Sequence, residues 1–126
     1  MDNILLSLPV NTGKGRLIIH RKKGQGFLIG KALEHRLIYV GCAVACEFKR
    51  GTLSILEKTH EFNLIRVGKL EGTLYVPQGQ ECYIPYFDTE LKIIGYRSGI
   101  VRIRLVADRD IKILRDELHK RGPRDK

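Results

Sequence analysis

No apolar run in this chain approaches the ~20 residues that a membrane-spanning helix needs, so no such helix is expected. Cysteine is scarce. Cys42, Cys46 and Cys82 are an odd number and none sits in a CxxC pair, which argues against a disulfide framework and fits a reducing cytoplasm. No low-complexity tract and no internal repeat is visible in the letters. The run Asn11-Thr12-Gly13-Lys14-Gly15 is glycine-rich but lacks the GxxxxGK(S/T) frame of a phosphate-binding loop. No Ser/His/Asp or Cys/His arrangement and no paired-carboxylate motif stands out, so neither an enzyme nor a cofactor is expected.

Acidic residues are in the minority, and their placement matters. The net charge is +9 over 126 residues. Between Lys31 and Asp88, seven Lys/Arg balance seven Asp/Glu. The remainder holds sixteen basic and seven acidic residues, and therefore the whole excess. A basic surface so localised points to a polyanion, most often nucleic acid. Hydrophobic residues at 43% are enough for a core.

Short runs divided by Gly and Pro predict antiparallel strands throughout. Leu17 to Arg21 reads as a strand entering the turn Arg21-Lys22-Lys23-Gly24-Gln25-Gly26, and Phe27 to Ile29 begins the next. Arg36 to Arg50 is apolar on both alternating faces, as in a buried strand, with a bend at Gly41. Strands follow at Thr52 to Glu57, Phe62 to Val67, Thr73 to Val76, Glu81 to Ile84 and Glu90 to Tyr96. In Ile100 to Val106, Val101, Ile103 and Leu105 face one way and Arg102 and Arg104 the other. A last strand spans Asp110 to Leu114, with Ile111 and Ile113 inward. A short helix follows over Arg115 to Arg121, acidic at its start, and Gly122-Pro123 stops it.

Two stretches, Leu17 to Gly30 (LIIHRKKGQGFLIG) and Thr89 to Arg121 (TELKIIGYRSGIVRIRLVADRDIKILRDELHKR), carry a family pattern. The first is an apolar strand closing on a basic pair, then a Gly-containing turn and Leu28-Ile29-Gly30. The second holds Val101-Arg102-Ile103, the strand to Leu114, and Arg115-Asp116-Glu117 opening a helix. Joined without the middle, they resemble the carbon storage regulator (CsrA/RsmA) family of post-transcriptional RNA-binding repressors. The resemblance implies a mostly β fold: a five-strand antiparallel sheet with a short C-terminal helix, in two chains interlocked as a homodimer. It implies a site reading GGA-containing loops in mRNA leaders or small RNA. Arg21 and Arg115 are its central residues, Ile19 is an apolar member, and His20, Lys22, Arg102 and Arg104 complete the RNA surface.

On this reading the chain divides into an N-terminal extension (1–15), a discontinuous RNA-binding domain (16–30 and 89–121), a β-rich insertion (31–88) and a tail (122–126). The N-terminal run MDNILLSLPVNTGKG has an acidic residue where a signal peptide would be basic, and reads as an uncleaved extension. The chain departs from the family at Arg104, where a small or neutral residue is usual, near Asp108, where a proline is, and at Leu114, which is commonly His. The insertion resembles no known family. Cys42 and Cys46, with His35, His60 and Cys82, could be zinc ligands. But positions 42 and 46 share a strand face with Val40, Val44 and Phe48, which reads as core, so no metal is expected. The alternative function is a protein-interaction module, or a mixed-dimer modulator of a standard family member, acting through the insertion.

Overall fold

The computed structural model describes residues 14–84 and 87–121. Expectations for residues 1–13 and 122–126 lie outside the described residues. Among the described residues, nine strands and one short helix follow one another: β1 (Lys14–Lys22), β2 (Gly26–Gly30), β3 (His35–Lys49), β4 (Thr52–Arg66), β5 (Lys69–Pro77), β6 (Glu81–Ile84), β7 (Thr89–Arg97), β8 (Ile100–Asp108), β9 (Lys112–Arg115) and α1 (Asp116–Arg121). Among the described residues no helix is long and apolar enough to cross a membrane. The β3–β4 and β7–β8 turns place consecutive residues in the left-handed region: Arg50 (φ 54°) with Gly51 (77°), and Ser98 (55°) with Gly99 (80°). Two such residues make the turn whose twist matches paired strands, and glycine adopts it without strain.

Two antiparallel sheets result, in the orders β1-β8-β7-β6 and β5-β4-β3-β2-β9. The mostly β expectation holds, but two sheets of four and five strands replace the single five-strand sheet. Between them lie Phe27, Ile29, Leu37, Tyr39, Phe62 and Leu64 from one and Leu91, Ile93, Val101, Ile103 and Leu105 from the other, none more than 2% exposed. Each such side chain contributes roughly 1.5–3 kcal/mol by leaving water. Tyr39 and His60 form a polar pair inside the core. Tyr39 Oη donates to His60 Nδ1 at 2.8 Å, and His60 Nε2 donates to Gln78 Oε1 at 3.1 Å. The neutral ring is thereby satisfied, and burial lowers the His60 pKa below its ordinary value.

The sheets are built alike. Exchanging β1, β2, β3 and β4 for β5, β6, β7 and β8 converts the pairings β1-β8-β7-β6 into β5-β4-β3-β2. The detail follows the exchange. Gln25 N bonds Lys22 O as Gln80 N bonds Pro77 O, and Gly24 N reaches Tyr39 O as Gly79 N reaches Ile93 O. A bulge lies between Tyr39 and Gly41 in β3 and another between Ile93 and Gly95 in β7. The chain therefore contains an internal duplication of backbone structure, where no repeat is visible in the letters. Among the described strands β9, which pairs with β2, has no counterpart.

Residues 31–88 are woven into this arrangement. They supply β3 to β6, and their Leu37, Tyr39, Phe62, Leu64, Val76 and Ile84 share the core with the flanking segments. In consequence β1 pairs with β8, and β2 with β9, inside one chain. The helix begins at Asp116, one residue later than expected, because Arg115 still pairs with Phe27.

One expectation about the core is overturned. β3 pairs with β2 only over His35–Ile38, and β4 with β5 only over Thr59–Arg66, so residues 43–57 form a two-stranded arm with both outer edges free of the sheet. Val44 (44%), Cys46 and Phe48 (69%) lie on that arm and are exposed, not core. Their alternation is that of a buried face, but the opposite sheet ends at Ser98-Gly99 and nothing described lies against them.

Candidate nucleic-acid interface

Alternation fixes what the four-stranded sheet shows to solvent. In β1, Gly15, Ile19 and Arg21 are buried, while Arg16, Ile18, His20 and Lys22 are exposed. Residues directly opposite across an antiparallel pair share a face. Ile18 lies opposite Arg104, His20 opposite Arg102, and Lys22 opposite Ile100. β7 adds Lys92 opposite Arg104 and Arg97 opposite Ile100. Gly95 stands opposite Arg102, and a Cβ there would lie 3.6 Å from the Arg102 side chain, so the guanidinium arm crosses bare backbone.

The outer face thus gathers Arg16, Lys22, Lys92, Arg97, Arg102 and Arg104 with His20, against Glu81, Glu90 and Asp108. Arg104 Nη2 sits 3.6 Å from Glu81 Oε2. Arg16, Leu17, Ile18, Ile94 and Arg104 line a shallow hollow of about 450 Å³, and Ile18 is 48% exposed. Cations set around an apolar floor can hold phosphates while a base lies against the aliphatic surface.

The expected site residues divide. The structure brings His20, Lys22, Arg102 and Arg104 together on this face. Ile19 points the other way, into the core, at 5% exposure. Arg21 is the larger departure, because a strand-end arginine is expected to be solvated and this one is 4% exposed. Its Nη1 and Nη2 donate to the two carboxylate oxygens of Glu117 at 2.8 and 2.9 Å. Nη1 also donates to Gly26 O at 3.0 Å, and Nε to the His20 carbonyl. That pair holds the Glu117 carboxyl well below the ordinary range, at about 2. Arg115 Nε lies 4.0 Å from the same carboxylate. Arg21 and Arg115 therefore converge on Glu117, at the seam between β1, β2 and α1, and not on the exposed cationic face.

Arg16, Lys92 and Arg97 are members of the face that the motif reading omits. Arg16 shares the parity of His20 and Lys22. The hairpin register around Ser98-Gly99 would have placed Arg97 opposite Ile100, whereas Lys92 comes opposite Arg104 only through the bulge between Ile93 and Gly95. No group of three or more His, Cys, Asp or Glu able to hold a metal occurs among the described residues. Cys42, Cys46 and Cys82 are free thiols.

The chain matches no family model, and no curated protein or solved structure is significantly similar to it.

The duplication supplies an internal comparison. The positions equivalent to His20, Lys22, Lys92, Arg102 and Arg104 are Tyr75, Pro77, Ile38, Glu61 and Asn63, which carry the same register on the five-stranded sheet. No cation remains at any of the five. There Asn63 accepts a hydrogen bond from Thr73 at 3.2 Å, and Tyr75 stands 63% exposed opposite Glu61. At these positions one backbone plan carries cations on one face and none on the other, so the cations are not a requirement of the fold.

Proposed function

We propose that this chain is an RNA-binding post-transcriptional regulator of the carbon storage regulator kind. It holds a single-stranded loop of an mRNA leader or small RNA on the outer face of β1-β8-β7-β6. The observation that carries this reading is the set of six Arg and Lys side chains on one sheet face, four of which (Lys22, Lys92, Arg102 and Arg104) have uncharged or acidic residues at the equivalent positions of the other sheet. Arginine offers a planar fork of donors that suits phosphate and guanine alike, and a loop exposes both. The resemblance supplies the GGA-containing loop as the sequence read, and the cytoplasm as the place of action. β1 pairs with β8 within one chain, so the cationic face is complete in a single chain and each chain offers one RNA face.

The test is a fluorescence-anisotropy titration with a GGA-loop hairpin against a loop-mutated control. Tight binding that prefers the GGA loop, at one RNA per chain, is expected. Equal affinity for both hairpins would reduce the reading to non-specific polyanion binding, and no binding would remove it.

A second reading, a protein-interaction module, is favoured by one observation, the exposed apolar arm of β3 and β4.

A further inference from the structure

The β3–β4 arm has no equivalent in the duplicated half. After the bulge glycine, β7 runs only from Gly95 to Arg97, while β3 runs from Gly41 to Lys49, six residues further. The fold closes without this extension. Its two faces differ. Across the hairpin Val44 pairs with Lys58, Cys46 with Ile55 and Phe48 with Leu53, which makes three successive rows of one face. The other face carries Ala45 with Glu57, Glu47 with Ser54, and Lys49 with Thr52. The first face continues the core side of the sheet, since Cys42 pairs with the buried His60. Beyond Lys58, which lies 5.6 Å over the Tyr96 ring, the described residues offer it nothing to pack on. Phe48, Leu53 and Ile55 are 61–69% exposed.

We propose that the arm docks on the arm of a second copy, apolar face to apolar face, as a four-stranded sandwich with its two-fold axis at the middle row, Cys46 and Ile55. A lone two-stranded ribbon is marginal in water, and a second layer on its apolar face is what stabilises it. Three observations select a second copy as occupant. The rows are self-complementary: reversal about Cys46 sets Phe48 and Leu53 of one arm against Val44 and the aliphatic stem of Lys58 of the other. The arm is close to neutral, with Glu47 and Glu57 against Lys49, Arg50 and Lys58 over residues 42–58, so a polyanion has little to hold there. Opposed arms also keep the two basic bodies at opposite ends of a ribbon about 25 Å long, several times the ~8 Å screening length in physiological salt.

The contact is small. A ribbon of about eight residue pairs covers a few hundred Å² on each side, below the ~800 Å² per partner of a standard interface. The dimer is therefore reversible and concentration-dependent, unlike an interlocked one. It is also independent of the RNA reading. If both hold, pairing converts one RNA face per chain into two per particle.

Sedimentation velocity of the full chain, from low to high micromolar, tests the proposal. A shift from a 14.4 kDa species toward twice that mass is expected. Phe48→Glu with Leu53→Glu, at exposed positions, abolishes the shift while the melting temperature and the RNA affinity per chain stay as in the parent. A short bis-maleimide joins two copies through Cys46; Cys46→Ser prevents this, and Cys42→Ser and Cys82→Ser do not. A parent chain that stays monomeric throughout overturns the proposal and gives the arm to another protein. A dimer that survives both glutamates places the interface elsewhere. Loss of RNA binding in the parent, with the mass shift intact, would overturn the RNA reading alone.

Discussion

Arg21 and Glu117, ninety-six residues apart in the chain, are joined by two parallel hydrogen bonds of 2.8 and 2.9 Å. The guanidinium is buried and also holds the carbonyl of Gly26, so the pair ties β1, β2 and the start of α1 at one point.

Arg21→Ala accordingly lowers stability, by roughly 1–3 kcal/mol, because it strands the Gly26 carbonyl and one carboxylate. Chemical denaturation measures this; an unchanged midpoint would mean that the pair contributes nothing. The linkage has a definite sign. Glu117 titrates near 2 when folded, against 4.5 as its ordinary value. Its contribution is fully present above pH 4.5 and disappears as pH falls toward 2. Glu117→Gln should flatten the stability profile in that window.

Arg102→Ala removes an exposed cation and should change stability by no more than about 0.5 kcal/mol; Arg104→Ala removes a half-buried one beside Glu81 and should cost no more than about 1 kcal/mol. Each should weaken binding of the GGA-loop hairpin by roughly 1.5–3 kcal/mol, about ten- to a hundredfold. Glu61→Ala and Asn63→Ala, at the equivalent positions of the other sheet, should leave affinity unchanged. Equal losses on both faces would show that the cationic face has no special part in binding.

Binding should weaken steeply with salt. Each phosphate contact on a single strand contributes about −0.7 to the slope of log affinity against log salt, so six engaged cations give about −4. Replacing Lys22 or Lys92 by Ala should make that slope shallower by about 0.7. A slope that does not respond to either substitution would place the phosphates elsewhere.

His60 is fully buried, accepts from Tyr39 and donates to Gln78. Its pKa lies below the ordinary 6.5, so the unfolded chain takes up the proton first. The neutral ring's contribution is complete above pH 6.5 and declines as pH falls below it. Thermal melts across that range should show a loss on acidification that His60→Gln diminishes. A parent profile as flat as the variant's would contradict this.

Much of the cationic face is legible in the sequence, because alternation in β8 separates Val101, Ile103 and Leu105 from Arg102 and Arg104 without knowledge of the partner strand. The same rule assigns Arg21 the parity of Ile19, but the letters do not show that a buried arginine is tolerable. Its carboxylate lies ninety-six residues away, in α1. The duplication is illegible for another reason: backbone hydrogen bonds and left-handed turns carry it, and many side chains satisfy these. In the letters it leaves only scattered identities: Gly24-Gln25 with Gly79-Gln80, Ile29 with Ile84, Leu37 with Leu91, Gly41 with Gly95 and Leu64 with Leu105. The arm misleads because alternation in Val44, Cys46 and Phe48 reports an apolar face without reporting what lies opposite it.

The order in which strands pair also sets when they can form. β1 has no partner until β8 exists, since Lys22 meets Ile100 and Lys14 meets Asp108, 78 and 94 residues further on. At synthesis rates of about 5–20 residues per second, that is a delay of roughly 4–19 s on the ribosome. The β3–β4 hairpin needs only its own turn and can close in about a microsecond to ten. β1, made before the strand it pairs with, is thus among the last to find its place, and its apolar residues wait in solvent until β8 has been translated.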